Sequence, residues 1–78
     1  MAASRKEQEE LQPVIQETVV QRLGFPEKAV IKAAMSCLAE DLDHDESVGK
    51  MSALLGDELA SRFVEDLNRN VDNFRYLI

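Results

Sequence analysis

Apolar residues recur three and four positions apart along most of the chain, which is the spacing of one face of an α-helix. No stretch shows the regular alternation of apolar and polar residues that indicates a half-buried strand. Short breaks divide the helical pattern into four segments. The sequence therefore predicts an all-α fold, a compact bundle of four helices joined by short turns.

The first helix is predicted to begin near Ser4 and to stop at Gly24. Ser4 and Glu7 have the spacing of a capping box, in which each side chain accepts a hydrogen bond from the backbone N–H group of the other residue. Gly24 suits the left-handed position at which many helices end. These two signals define the ends of the segment.

Pro13 lies inside this first stretch. A proline within a helix removes one backbone hydrogen bond and clashes with the preceding turn, at about 3 kcal/mol, whereas the first turn of a helix accommodates it. We therefore predict a short leading helical segment over residues 4–11, followed by a firm helix that begins at residues 12–13.

Three further helices follow Gly24. The second is predicted over about residues 27–40 and the third over about residues 45–55, and the fourth begins after Gly56. The residues of these helices expected to face the core are Val30, Ile31, Ala34, Met35, Cys37, Leu38, Val48, Met51, Leu54, Leu55, Leu59, Phe63, Leu67 and Val71. Beside the last four of these lie Ala60, Val64 and Asn70.

The composition is that of a single globular domain, with 78 residues of which 45% are hydrophobic and 31% charged. A net charge of −6 argues against a free-standing nucleic-acid binder, which normally has a basic patch. One cysteine allows no internal disulfide and favours the cytosol or the nucleus. No apolar run approaches the roughly 20 residues of a membrane span, so we expect no membrane partner.

Catalysis has little support in the sequence. Cys37 and His44 are the only cysteine and histidine, and they lie on different segments. A nucleophilic pair also needs an orienting group and a substrate cleft. Cys37 falls on the apolar face of the second helix, which indicates an inert buried thiol, and His44 is expected to be a solvated surface residue. We predict a protein that is not an enzyme and has no cofactor.

The acidic break after the second helix resembles the start of a calcium loop, because Asp41, Asp43 and Asp45 alternate along it. Such a loop also needs glycine at its sixth position and a bidentate glutamate at its twelfth. Here those positions hold Glu46 and Ser52. We therefore expect no metal site, and we expect one of the later two aspartates to cap the third helix.

The basic residues are few, and two groups of them fall together. Arg22, Lys28 and Lys32 are expected to gather near the turn between the first two helices, since the two lysines share a helix face. Arg62 and Arg69 lie seven residues apart on one face of the fourth helix. A solvated face paired with nearby carboxylates is the alternative interpretation of both groups. One tyrosine and no tryptophan leave little for a base-stacking platform.

Several short motifs resemble the PWI domain, a four-helix module of pre-mRNA splicing proteins named for a Pro-Trp-Ile triplet. Residues 13–15 correspond to the triplet, and residues 23–25 match its leucine-glycine-phenylalanine turn. The segments at residues 33–37 and 62–65 are also similar, and the resemblance covers about residues 7–71. The signature positions are Pro13, Val14, Ile15, Leu23, Gly24, Phe25 and Phe63.

The resemblance implies a non-catalytic nuclear module of a splicing factor, which contributes RNA binding together with a basic flank outside this chain. A protein–protein docking module within a small nuclear ribonucleoprotein is the alternative. We expect residues 1–78 to be one monomeric domain of a longer protein, with an apolar tail at residues 72–78. Because acids outnumber bases, the domain alone should bind RNA weakly, with a Kd no better than roughly 10⁻⁴ M. Its contacts are predicted at Arg22, Lys28 and Lys32, and its other partners are splicing-factor proteins.

Val14 stands where the family has its defining tryptophan. Valine is far smaller, and protein cores keep a packing density close to that of organic crystals. We therefore expect Phe74 or Leu77 to fold back beside Val14, with Met35 or Met51 as the alternative filler.

Overall fold

The structure, a computed structural model, describes residues 4–77. Four helices make up this part of the chain: α1 (Arg5–Leu23), α2 (Lys28–Ala39), α3 (His44–Leu55) and α4 (Asp57–Leu77). Residues 4–77 contain no β-strand. The predicted all-α bundle of four helices is confirmed, and the predicted bounds of α2 and α3 are correct to within one residue.

Each helix packs against two others, so that the contacts close a ring from α1 through α2, α3 and α4 back to α1. Three side-chain pairs join α1 to α4, and they occur in opposite order along the two helices. The pairs are Glu7 with Arg75, Thr18 with Asn70, and Arg22 with Asp66. The first and last helices are therefore antiparallel neighbours.

The core lies between the four helices, and among the described residues Thr18 and Ser47 are its only polar members. Its buried hydrophobic residues are Leu11, Ile15, Val19, Val30, Ala34, Cys37, Met51, Ala60, Phe63, Val64, Leu67 and Val71. Phe63 is the largest of those that are fully buried. The prediction for Leu54 is wrong, because this side chain remains 49% exposed. At this end of α3 the neighbouring Leu55 packs against the core instead.

The predicted break at Pro13 does not occur, because α1 is one helix that contains this proline. The leading segment is helical, as predicted, but it continues directly into the rest of α1. Leu11 and Ile15, on either side of Pro13, are both fully buried, so core packing holds the two parts in one helix. Glu9, whose carbonyl loses its helical partner, is exposed, and water can satisfy that carbonyl.

Replacing Pro13 with alanine should therefore stabilise the domain. Alanine restores the N–H group and removes a clash that costs about 3 kcal/mol, while a more flexible unfolded chain offsets about 0.4–1 kcal/mol of that gain. Urea unfolding followed by circular dichroism should show a rise of roughly 2 kcal/mol in the free energy of unfolding. Pro26→Ala, outside the helices, should show only a small loss. A loss in Pro13→Ala as well would contradict this explanation.

Side-chain caps fix the beginnings of α1 and α3. The Ser4 hydroxyl accepts from the Glu7 N–H group at 3.1 Å, while the Glu7 carboxylate bonds Arg75 instead of completing the capping box. Asp43 and Glu46 form a complete capping box at the start of α3. The aspartate cap predicted for the third helix is thus confirmed at Asp43.

A tight turn joins α2 to α3. The Leu42 N–H group donates to the Cys37 carbonyl and the Asp41 N–H group donates to the Leu38 carbonyl, which is the pattern of a Schellman motif. Asp41 takes the left-handed conformation, with φ of 54°, and aspartate is one of the few residues other than glycine that adopt it readily. The acidic break is therefore a helix ending and not an open loop.

Residues 72–77 continue α4 and do not fold back as a separate tail. Phe74 is half-buried, packs against the core and lines the same groove as Val14. Phe74 therefore lies near Val14, as predicted, but the predicted fold-back of the tail is wrong, because α4 continues through these residues and a groove remains between the two side chains. The prediction for the Leu77 side chain lies outside the described residues.

Candidate nucleic-acid interface

Lys28 and Lys32 lie one turn apart on the exposed side of α2. Both line a surface groove of about 370 Å³ between α1 and α2. Its other lining residues are Gln12, Gln16, Pro26 and Ile31. The groove thus combines two ammonium groups and two side-chain amides around a small apolar base.

The turn between α1 and α2 creates this groove. Gly24 ends α1 in the left-handed conformation, with φ of 87°, and its N–H group donates to the Val20 carbonyl at 2.8 Å. The Glu27 carboxylate then accepts from the Ala29 N–H group and caps α2. Because only four residues separate the helices, Lys28 begins α2 directly beside the end of α1.

The charge of the groove differs from that of the protein as a whole. Neither lysine has an ion-pair partner among residues 4–77, and no carboxylate belongs to the lining. Two other grooves do include acids: one is lined by Asp57 and Glu58, and the other by Glu17. On a chain with a net charge of −6, the groove between α1 and α2 is therefore locally favourable to anions.

Arg22, the third predicted contact, does not line this groove. Its guanidinium is paired with the Asp66 carboxylate of α4. That hydrogen bond raises the pKa of Arg22 and lowers the pKa of Asp66. The structure thus brings Lys28 and Lys32 together, and it assigns Arg22 a link between α1 and α4. The same pairing with carboxylates is seen at Arg62, whose partner is Glu58 at 3.3 Å.

Gln12 and Gln16 were not predicted as contacts, because they carry no charge. Their separation of four residues on the exposed side of α1 was the available signal. Only the packing of α2 against α1 shows that they face the two lysines across one groove.

The PWI domain family matches residues 9–74. The chain belongs to this family. No solved structure matches the chain. PWI domains are non-catalytic modules of nuclear splicing factors and are associated with RNA and protein interaction. No helix within the described part of this PWI domain is long and apolar enough to cross a membrane.

The signature positions of this PWI domain serve mainly to build the bundle. Ile15 and Phe63 are fully buried, while Val14 and Leu23 pack against the core from its edge. Phe25, in contrast, is 55% exposed. The family motif therefore fixes the fold and leaves one aromatic side chain of the turn on the surface.

The remaining reactive side chains to consider in the described part of this PWI domain are His44 and Cys37. Among residues 4–77, no three His, Cys, Asp or Glu side chains are arranged to hold a metal ion. His44 is an exposed residue in the first turn of α3. Burial raises the pKa of the Cys37 thiol, although a contact with Ser47 acts in the opposite direction. Cys37 is therefore a protonated core thiol at neutral pH.

The reactivity of Cys37 tests this description. A buried thiol with a raised pKa offers little thiolate to a reagent, and its exposure requires opening of the core. At pH 8 we expect Cys37 to react with Ellman's reagent at least about 100-fold more slowly than an added surface thiol, since opening a core helix takes several kcal/mol. Asn68→Cys, at an exposed position of α4, supplies that reference. Equal rates for the two thiols would show that α2 opens easily.

Proposed function

We propose that this PWI domain is an RNA-contact module of a pre-mRNA splicing factor, similar to the N-terminal PWI domain of pre-mRNA-processing factor three. In this proposal it acts in the nucleus together with a basic flank outside the chain. The observation that carries the proposal is the groove between α1 and α2, which presents Lys28 and Lys32 without a carboxylate in its lining. Membership of the PWI family supports it.

The chemistry of the groove suits the backbone of RNA more than its bases. Ammonium groups pair with phosphates, and the amides of Gln12 and Gln16 can donate to phosphate or ribose oxygens. The lining contains no aromatic ring on which a base could stack. Contacts of this kind carry no base information, so we expect little sequence preference.

The expected affinity is low because the groove supplies few cations. Each phosphate contact with single-stranded RNA contributes about −0.7 to the slope of log K against log salt concentration. Two contacts therefore give a slope of about −1.4. Arg22 should add less than either lysine, because Asp66 already shares its guanidinium. A basic flank would add contacts and steepen the salt dependence.

Charge reversal of the two lysines tests the proposal. Lys28→Glu with Lys32→Glu should reduce binding to a fluorescein-labelled single-stranded RNA by at least about tenfold at 50 mM salt, measured by anisotropy, because both phosphate contacts become repulsive. Helical circular dichroism should stay unchanged, since both residues are exposed.

Arg5→Glu with Lys6→Glu is the matched control. These residues are also exposed, and the double reversal changes the net charge by the same amount at a position outside the groove. We expect this variant to bind RNA within about threefold of the unchanged domain, the residual effect being long-range charge. Equal losses in the two double variants would show that only net charge matters and would refute the proposed interface.

A protein-docking module within a small nuclear ribonucleoprotein is the second candidate. It is favoured by the acidic surface and by large apolar side chains that remain exposed, namely Val20, Phe25, Leu54 and Tyr76. A pull-down from nuclear extract tests this candidate when Phe25→Ser and Leu54→Ser variants are run beside the unchanged domain. Capture of the same proteins by all three forms would count against it.

A further inference from the structure

We propose that the groove between α1 and α4 binds an arginine side chain of a partner protein. This groove has a volume of about 270 Å³ and lies on a different side of α1 from the groove between α1 and α2. Its lining residues are Val14, Glu17, Gln21, Asn70, Asn73 and Phe74. The proposal goes beyond the RNA contact, because it assigns a protein ligand to residues that do not line the groove between α1 and α2.

A hydrogen-bond chain fixes one wall of the groove. The buried Thr18 hydroxyl donates to the Val14 carbonyl at 2.9 Å, and Asn70 Nδ2 donates to Thr18 Oγ1 at 2.7 Å. A threonine hydroxyl has only one hydrogen to donate, so it must accept from the amide nitrogen of Asn70. This orients the amide and leaves its Oδ1 as an acceptor, to which no residue within 4–77 donates.

A negative charge accompanies this acceptor. Glu17 is exposed and has no ion-pair partner in the described part of the chain. The side-chain amides of Gln21 and Asn73 are exposed and can rotate to offer further oxygens. The polar side of the groove thus presents several hydrogen-bond acceptors and one carboxylate. This combination favours a cation that carries more than one hydrogen-bond donor.

The opposite side of the groove is apolar. Val14 and the ring of Phe74 are half-buried there and pack against the core. A guanidinium has five donors in a plane, stacks on aromatic faces and is only weakly hydrated, whereas a lysine ammonium is a compact and strongly hydrated charge. Arginine therefore matches both sides of the groove better than lysine, and a phosphate would be repelled by Glu17.

Titration with short peptides tests this inference. The probes are acetyl-Gly-Xaa-Gly-amide peptides in which Xaa is arginine, lysine or citrulline, the last being an uncharged analogue of arginine. In ¹⁵N-resolved NMR spectra we expect the arginine peptide to shift the side-chain amide signals of Gln21, Asn70 and Asn73. Its affinity should exceed that of the lysine peptide at least fivefold, and the citrulline peptide should give no such shifts.

Glu17→Gln should weaken binding of the arginine peptide at least fivefold. The matched control is Glu65→Gln, which removes the same charge from an exposed position of α4 outside the groove, and it should leave binding unchanged. Equal weakening by the two variants, equal affinities of the arginine and lysine peptides, or no shift of the three amides would overturn the proposal. Because Glu17→Gln should leave RNA binding intact, the failure of this proposal is distinguishable from failure of the RNA interface.

Discussion

Replacing Phe63 with alanine is expected to lower the free energy of unfolding of the domain by about 3–5 kcal/mol, the largest loss expected for any single change proposed for this protein. Its side chain is fully buried and is the largest in the core. Truncation of a buried phenylalanine costs about 3–5 kcal/mol, from lost burial and from the cavity left behind. At about 0.05–0.15 kcal/mol per residue, a chain of 78 residues has a total stability of roughly 4–12 kcal/mol. Urea unfolding at 25 °C should therefore show a clearly lower midpoint, because the midpoint falls in proportion to the free energy of unfolding.

Phe25→Ala is the control for this change, because it removes the same atoms from a side chain that is 55% exposed. Surface substitutions usually change stability by no more than about 0.5 kcal/mol, and we expect a loss of that order here. Similar losses in the two variants would show that the buried centre of the bundle has been assigned incorrectly. A loss confined to Phe63→Ala supports the core as described.

Leu11→Ala has the second largest expected effect, a loss of about 2–5 kcal/mol. Leu11 is fully buried although it precedes Pro13. If the segment before the proline were a separate and weakly held helix, truncation within it would change the global free energy of unfolding very little. The variant therefore measures whether the start of α1 belongs to the cooperative unit of the domain.

Leu54→Ala provides the matched control, since Leu54 is 49% exposed and should lose only a few tenths of a kcal/mol. Native-state hydrogen exchange gives an independent measure, because amides near Leu11 should be protected almost as well as those near Ile15. Rapid exchange before the proline, combined with a loss below about 1 kcal/mol in Leu11→Ala, would contradict the single continuous helix.

Local signals explain why much of the fold could be predicted from the sequence. Capping residues such as Ser4 and Asp43 act within one turn, and Gly24 ends α1 through its own backbone conformation. The spacing of apolar residues then identified the buried face of each helix. The interpretation of Pro13 failed because it weighed a local penalty alone. Core packing on both sides of the proline outweighs that penalty.

The candidate sites depended on contacts between residues that are distant in the sequence, and these were harder to predict. The pairing of Lys28 and Lys32 follows from helical spacing alone. The pair formed by Arg22 and Asp66, in contrast, spans 44 positions, and no local pattern indicates it. The same holds for the hydrogen bond between Thr18 and Asn70, which orients the Asn70 amide in the groove between α1 and α4.

The antiparallel arrangement of α1 and α4 has a mechanical consequence. The ion pair of Glu7 with Arg75, at 2.6 Å, places the first turn of α1 beside the last turns of α4. A force pulling outward on these two ends would load that pair first and then separate the helices turn by turn, reaching the Arg22–Asp66 pair last. Separation of this kind breaks the contacts one after another, whereas sliding the two helices along each other would break them all at once. A force applied to the start of α1 and the end of α4 should therefore unfold the bundle at low force.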